Sequence, residues 1–210
     1  MSEASDTLPP GRPRRRADAE RSVARILDAA VDALASDPEA SMAGIARRAG
    51  VVRATLYVHF ATRESLIEAV TRHAISEVAD VIDAAEPDRG DAAEALARLV
   101  ATAWRTMGRY HPLVAINARL PQAELQAKHG PVLDRLEPLI ERGQADGAFR
   151  ADVPAAWHLS MVLALIHAAS GALQAGHGTP EQIESALVAT VLGAVGVRPR
   201  PGSGRGRRPG

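Results

Sequence analysis

Cysteine is absent from this chain, which removes disulfide frameworks, thiolate metal sites and cysteine nucleophiles from consideration. Aromatic residues are scarce, with two Trp, two Tyr and two Phe among 210 residues. The 46% of apolar residues must therefore build a core mainly from Ala, Leu, Val and Ile, a mixture that favours helices over sheets. No alternating strand pattern and no internal repeat stands out. The longest apolar run, "MVLALIHAASGAL" (161–173), is broken by His167 and Ser170 and falls short of a membrane span. The basic run near the N-terminus has no apolar segment behind it, so no secretory signal is expected and a cytoplasmic location is.

Catalytic signatures are missing too. The seven histidines include no helical i, i+4 pair with an intervening Glu of the kind that binds zinc. There is no phosphate-binding loop and no nucleophile elbow; the Gly-rich "GSGRG" (202–206) has no strand before it. Carboxylates are plentiful but scattered on helix faces. An enzyme, a metal site and a cofactor are therefore not expected.

Charge is balanced in sum and uneven in place. Residues 1–25 and 198–210 hold eleven of the 25 basic residues and only four of the 25 acids, which leaves the middle about seven charges negative. Basic ends on an acidic body suggest a polyanion gripped at an end. The plainer reading, that Arg/Pro/Gly-rich ends are only solubilising, suits "RPRPGSGRGRRPG" at 198–210 better than the N-terminal arm with Arg14, Arg15 and Arg16.

Between these ends the pattern is helical throughout. Residues 1–17, with three prolines, are expected to be unstructured. A helix begins at Asp18, with Val23, Leu27, Ala30, Val31 and Leu34 as its apolar stripe, and stops at Pro38. Ser41 can cap a short second helix and Gly50 can end it. A third spans about 52–59, with Leu56 and Phe60 inward, and Thr62 can cap a long fourth that ends near "EPDRGD" (86–91). Later helices carry Leu96 to Met107, Val132 to Ile140, 154 to about 176, and 180 to 196, with breaks expected at "KHGP" (128–131) and a kink at Pro138. The fold expected is all-α, about nine helices: a basic arm (1–17), a first domain (18–75), a second (76–197) and a basic tail (198–210).

The informative stretch is "SMAGIARRAGVVRATLYVHFATRESLIEAV" (41–70). Two short helices joined by a Gly-containing turn form a helix-turn-helix, whose second helix enters the DNA major groove. On that helix Ala54, Tyr57 and Val58 face outward, with Arg53 and His59 on the flanks. Arg53 can read guanine, small Ala54 lets the helix approach the bases, and Thr55, Tyr57 and His59 offer donors to phosphate. Arg63 adds charge to the N-terminal end of the next helix, where an anion is already favoured. An ordinary helical hairpin with these residues on its surface is the competing reading from spacing alone.

This stretch resembles the DNA-binding segment of TetR-type (tetracycline-repressor-like) transcriptional regulators. The resemblance rests on Ile45-Ala46, Ala49-Gly50-Val51, Thr55-Leu56-Tyr57, His59-Phe60 and Arg63-Glu64-Ser65-Leu66. It covers about residues 20–75; "DGAFRADVPA" (146–155) is a weaker match. Val52 and Val58 depart from the family pattern, which favours a capping hydroxyl at the first and a polar or second Tyr residue at the second.

The resemblance implies a regulator, most often a repressor released from its operator by a small molecule, and a homodimer formed by the last two helices. The sequence offers Met161, Leu165, Ala168 and Ala172 on one of these helices, and Ile183, Leu187, Val191 and Val195 on the other. Candidate ligand residues are Trp104, Met107, Tyr110, His111, Asn117, Phe149 and Trp157, taken singly because spacing does not bring them together. The rival to a DNA-binding regulator is a helical scaffold or protein-binding module. Steep salt dependence of duplex binding separates the two.

Overall fold

The computed structural model describes residues 12–111, 113–114 and 121–196. Among them are eight α-helices: α1 (Arg12–Ser36), α2 (Met42–Arg48), α3 (Arg53–His59), α4 (Arg63–Ala84), α5 (Ala92–Thr106), α6 (Gln122–Ala145), α7 (Ala155–Gln174) and α8 (Pro180–Val195). A 3-10 turn, Met107–Tyr110, follows α5. The chain divides into two compact units, Met1–His73 and Ala74–Gly210, and the division falls inside α4. The all-α expectation holds. Asn117 and the tail 198–210 lie outside the described residues.

α1 begins at Arg12, six residues ahead of the Asp18 start expected from sequence. Pro13 sits in the first turn, where a missing N–H costs nothing. Arg and Ala, which follow it, are good helix formers. Arg14, Arg15 and Arg16 thus stand on the first turns of α1 and not on an extended arm.

In the first unit, α1 packs on α2 and α2 on α3. Ile26, Ala30, Val31 and Leu34 of α1, Ile45 and Ala46 of α2, Leu56 of α3 and Leu66 and Val70 of α4 are buried. The cap at Ser41 forms as expected: its hydroxyl accepts from Gly44 N–H at 3.2 Å. Thr62 and Ser65 cap α4 reciprocally, each side-chain oxygen accepting from the other's N–H, at 3.1 and 3.2 Å.

The second unit is built around α5. Leu96, Leu99, Val100 and Trp104 meet Leu136, Leu139 and Ile140 of α6, Leu159 and Val162 of α7, and Leu187, Val191 and Val195 of α8 in one core. α6 corrects the expected break at 128–131. It runs unbroken through Pro131 and Pro138. Each proline removes one backbone bond at a cost of about 3 kcal/mol or more, and the buried Leu136, Leu139 and Ile140 hold the helix together regardless.

α7 extends beyond the apolar run 161–173 at both ends. At 20 residues, with a window of mean hydropathy 1.4, it is long and apolar enough by composition to cross a membrane. Here it lies between α6 and α8, with His158, Leu159, Val162, Leu163 and Ser170 buried. Two arginines secure the connection after α4: Arg98 donates to the carbonyls of Ala85, Glu86 and Arg89, and Arg142 to those of Pro87 and Gly90.

Candidate functional site

The turn between α2 and α3 is set by Gly50, whose φ of 65° suits a residue without a Cβ. Gly50 N–H then reaches Arg47 O at 3.2 Å and Val51 N–H reaches Ala46 O at 3.0 Å, closing α2. α3 restarts at once. Val52 occupies its N-cap position, 71% exposed, and makes no side-chain cap bond.

α3 splits into two faces. Leu56 and Phe60 are buried, while Arg53, Ala54, Tyr57 and Val58 are exposed and Thr55 and His59 half-buried. Arg53 lies across Tyr57, with Nη2 donating to the phenol oxygen at 3.3 Å and the guanidinium 5.3 Å from the ring centroid. The His59 ring rests beside Phe60 at 6.3 Å. Tyr57, Val58 and Val52 are three of the four large hydrophobics left exposed among the described residues. These three stand within seven residues of one another.

Arg63 departs from its expected setting. It is half-buried, Nη2 donates to the Pro38 carbonyl between α1 and α2, and Nε is buried without a partner. Its guanidinium is a brace for that connection. On α2 the sequence reading passed over Arg47, which is exposed one turn before the Gly50 turn. Its position at the end of the first helix of the pair was the available signal.

In the second unit the ligand candidates disperse. The Trp104 and His111 rings lie 4.3 Å apart, and Trp104 Nε1 donates to Pro180 O at 3.2 Å. Next to His111, the buried Tyr110 donates its hydroxyl to Glu77. Burial, then the Glu77 carboxylate, pushes the Tyr110 phenol well above its ordinary range. Met107 is half-buried against the same core. Phe149 is buried elsewhere in that core, its ring close against Gly143. Trp157 stands 64% exposed on α7.

What the sequence reading missed is a polar seam along α7. His111 Nδ1 meets Ser170 Oγ at 3.0 Å, and Gln174 donates to the His111 carbonyl. The His129 and His167 rings pack edge to face at 5.4 Å. Gln126 of α6 donates to Ser160 Oγ at 2.9 Å. Ser160, His167, Ser170 and Gln174 recur at helical spacing and share one face. Burial holds His111, His129 and His167 below the usual imidazole range, and the neighbouring His129 lowers His167 further, to about 4.

The last two helices also need a correction. Leu187, Val191 and Val195 are buried in the chain's own core, and Met161, Leu165 and Ile183 pack against it. The faces they leave exposed carry Trp157, Ala164, Ala168 and Gly171 on α7, and Ala186, Ala189 and Gly193 on α8. Apart from Trp157, the apolar residues on these exposed faces are small, Ala and Gly.

A helix-turn-helix with an exposed Arg–Tyr pair on its second helix, joined to a larger helical unit, defines a DNA-binding regulator of transcription. Comparison with known proteins agrees. Residues 26–70 match the family model described as "Bacterial regulatory proteins, tetR family". The HTH-type transcriptional regulator NfxB of Pseudomonas aeruginosa is 26% identical over 149 residues, 68% of this chain and 78% of that protein. The HTH-type transcriptional repressor LfrR of Mycolicibacterium smegmatis is 38% identical over 81 residues, 39% of this chain and 43% of that one. The crystal structure of LfrR in complex with proflavine superposes with a TM-score of 0.66 at 27% identity, covering 85% of this chain and 99% of that one. The chain is similar to TetR-type transcriptional regulators, in its helix-turn-helix by the family model and along most of its length by structure.

Proposed function

We propose that the chain is a ligand-responsive repressor that acts in the cytoplasm as a homodimer, with α3 of each protomer in successive major grooves of an operator. The observation that carries this is the exposed face of α3, where Arg53 is held over Tyr57. Arg53 reads a guanine edge, and Ala54 permits close approach. Thr55, Tyr57 and His59 donate to phosphates. Val58, 82% exposed, suits the methyl group of thymine. The basic first turns of α1 (Arg14, Arg15 and Arg16) add phosphate contacts, and Arg63 acts mainly by fixing the connection before α2.

The small-residue faces of α7 and α8 support the dimer. Ala and Gly let helices approach closely, and two helices from each protomer make a four-helix interface. The second unit, with its polar seam in an apolar core, has the makeup of a small-molecule site. A ligand that binds one dimer geometry better than another shifts the population away from the DNA-competent one.

Selection of bound sequences from a random duplex pool, followed by titration against salt, tests the reading. An enriched palindrome with half-sites about one helical turn apart, bound with an affinity that falls steeply as salt rises, is expected. No enrichment, or affinity indifferent to salt, favours the scaffold alternative.

A further inference from the structure

The seam on α7 has a donor and acceptor pattern that selects a ligand. Ser170 Oγ donates its one proton to the Ile166 carbonyl at 3.0 Å, so the 3.0 Å contact from His111 Nδ1 requires the proton on the nitrogen. His129 Nδ1 faces the Leu125 carbonyl at 2.8 Å; a carbonyl only accepts, so this nitrogen also carries its proton. In a neutral imidazole with hydrogen on Nδ1, Nε2 is a bare acceptor. His111 and His129 thus each hold an Nε2 lone pair, and His167 Nε2 is buried with no partner at all. An unmatched polar atom in such a place costs free energy that a ligand group can recover. The seam's hydrogen bonds are made by His, Ser, Gln and backbone groups, and Lys128, beside His129 on α6, is paired with Glu124. A carboxylate or phosphate facing the Nε2 atoms of His111 and His129 would meet lone pairs.

We propose that the seam formed by His129 and His167, beside His111 and Ser170, receives an uncharged ligand with an apolar body and a hydroxyl that donates to imidazole nitrogen: a phenol or comparable alcohol, and not an organic acid. The inference rests on the second unit being the sensor of a regulator. The apolar body lies against core residues beside the seam, and the hydroxyl donates to His167 Nε2 in the tautomer that keeps its proton on Nδ1.

Three probes of like shape test this on the full chain at neutral pH: 2-naphthol, the anion 2-naphthoate and 2-methoxynaphthalene, which has the oxygen without the donor. Calorimetric affinities are expected to favour 2-naphthol by about tenfold or more over both others, the value of one well-placed hydrogen bond. His167→Phe should remove most of that advantage and leave 2-methoxynaphthalene unchanged, while His167→Gln, which can turn its amide oxygen to the hydroxyl, should restore part of it. Equal or tighter binding of 2-naphthoate, parity of the ether, an unaltered preference in His167→Phe, or no binding by any probe overturns the proposal. The comparison on the unaltered chain stands even if a variant does not fold. Titration of the selected duplex in the same preparations keeps the two readings apart. A chain that binds its duplex but not the phenol loses only this inference, whereas one that binds no duplex loses the regulator reading.

Discussion

Arg53 and Tyr57 act as one unit on α3: the guanidinium donates to the phenol oxygen at 3.3 Å and lies 5.3 Å from the ring centre. The pair limits the rotamers of a long side chain before DNA arrives, which lowers the entropy lost on binding. Arg53→Ala should therefore weaken the selected operator by about 1–3 kcal/mol and relax preference at one base pair per half-site. Tyr57→Phe, which keeps the ring and loses the hydroxyl, should weaken all duplexes by a similar, smaller amount. Binding measured on a set of single-base operator variants distinguishes these patterns. Uniform loss in both variants places base reading elsewhere.

Arg63 is expected to report on folding as well as on DNA. Its bond to the Pro38 carbonyl is made by a charged donor, a class worth about 1.5–3 kcal/mol. Arg63→Ala should lower the melting temperature and weaken every duplex alike. A variant of unchanged stability and reduced affinity would show that phosphate is its main partner.

Val52 leaves the first amides of α3 without a side-chain acceptor. Val52→Ser should stabilise the protein by about 0.5–2 kcal/mol, since the position is exposed and already has cap geometry. Thermal or urea unfolding measures the gain, and a loss would mean that the valine methyls do unseen packing work.

Gly143 has no room to grow. A Cβ there would lie 2.1 Å from Cδ2 of Phe149. Gly143→Ala should cost at least the roughly 1–3 kcal/mol typical of overpacking. In the Phe149→Leu background the same change should cost less, because neighbours couple. Equal cost in both backgrounds would place the problem in the backbone of α6.

Acid should loosen the second unit before it reaches the carboxylate range. His167 binds a proton near pH 6.5 when unfolded and only near 4 in the fold, with burial the main cause and His129 the second. Between those values the unfolded chain holds more protons, so the stability tied to a neutral His167 is complete above about pH 6.5 and lost as pH falls toward 4. His111 and His129, also lowered by burial, act in the same direction. Urea midpoints recorded from pH 7.5 to 4.5 should decline, and the decline should be shallower in His167→Phe.

Local signals were the ones legible in the sequence. The caps at Ser41 and Thr62, the turn at Gly50 and the two faces of α3 depend on residues within a few positions of one another. Val52 was recognisable as a helix start because its neighbours marked the boundary. What stayed hidden depends on long-range packing. His129 and His167 are 38 positions apart and meet only through the packing of α6 on α7. The segment 128–131 with Pro131 read as a break because local propensity opposes helix there, and core burial overrides it. On α8 the wide apolar pattern could not say which stripe faces inward. Packing on α5 and α7 decided it, with Leu187, Val191 and Val195 taking the core.

The connection after α4 is held by its backbone. Arg98 and Arg142 grip five carbonyls, those of Ala85, Glu86, Pro87, Arg89 and Gly90, and every residue type supplies a carbonyl. Information about this loop's shape is thus stored outside it, on α5 and α6. Lys is no equal replacement for a fork that spans several acceptors. A designer wishing to graft a tag or a reporter here would have latitude at Asp88, whose carbonyl neither arginine uses, and none at Arg98 or Arg142.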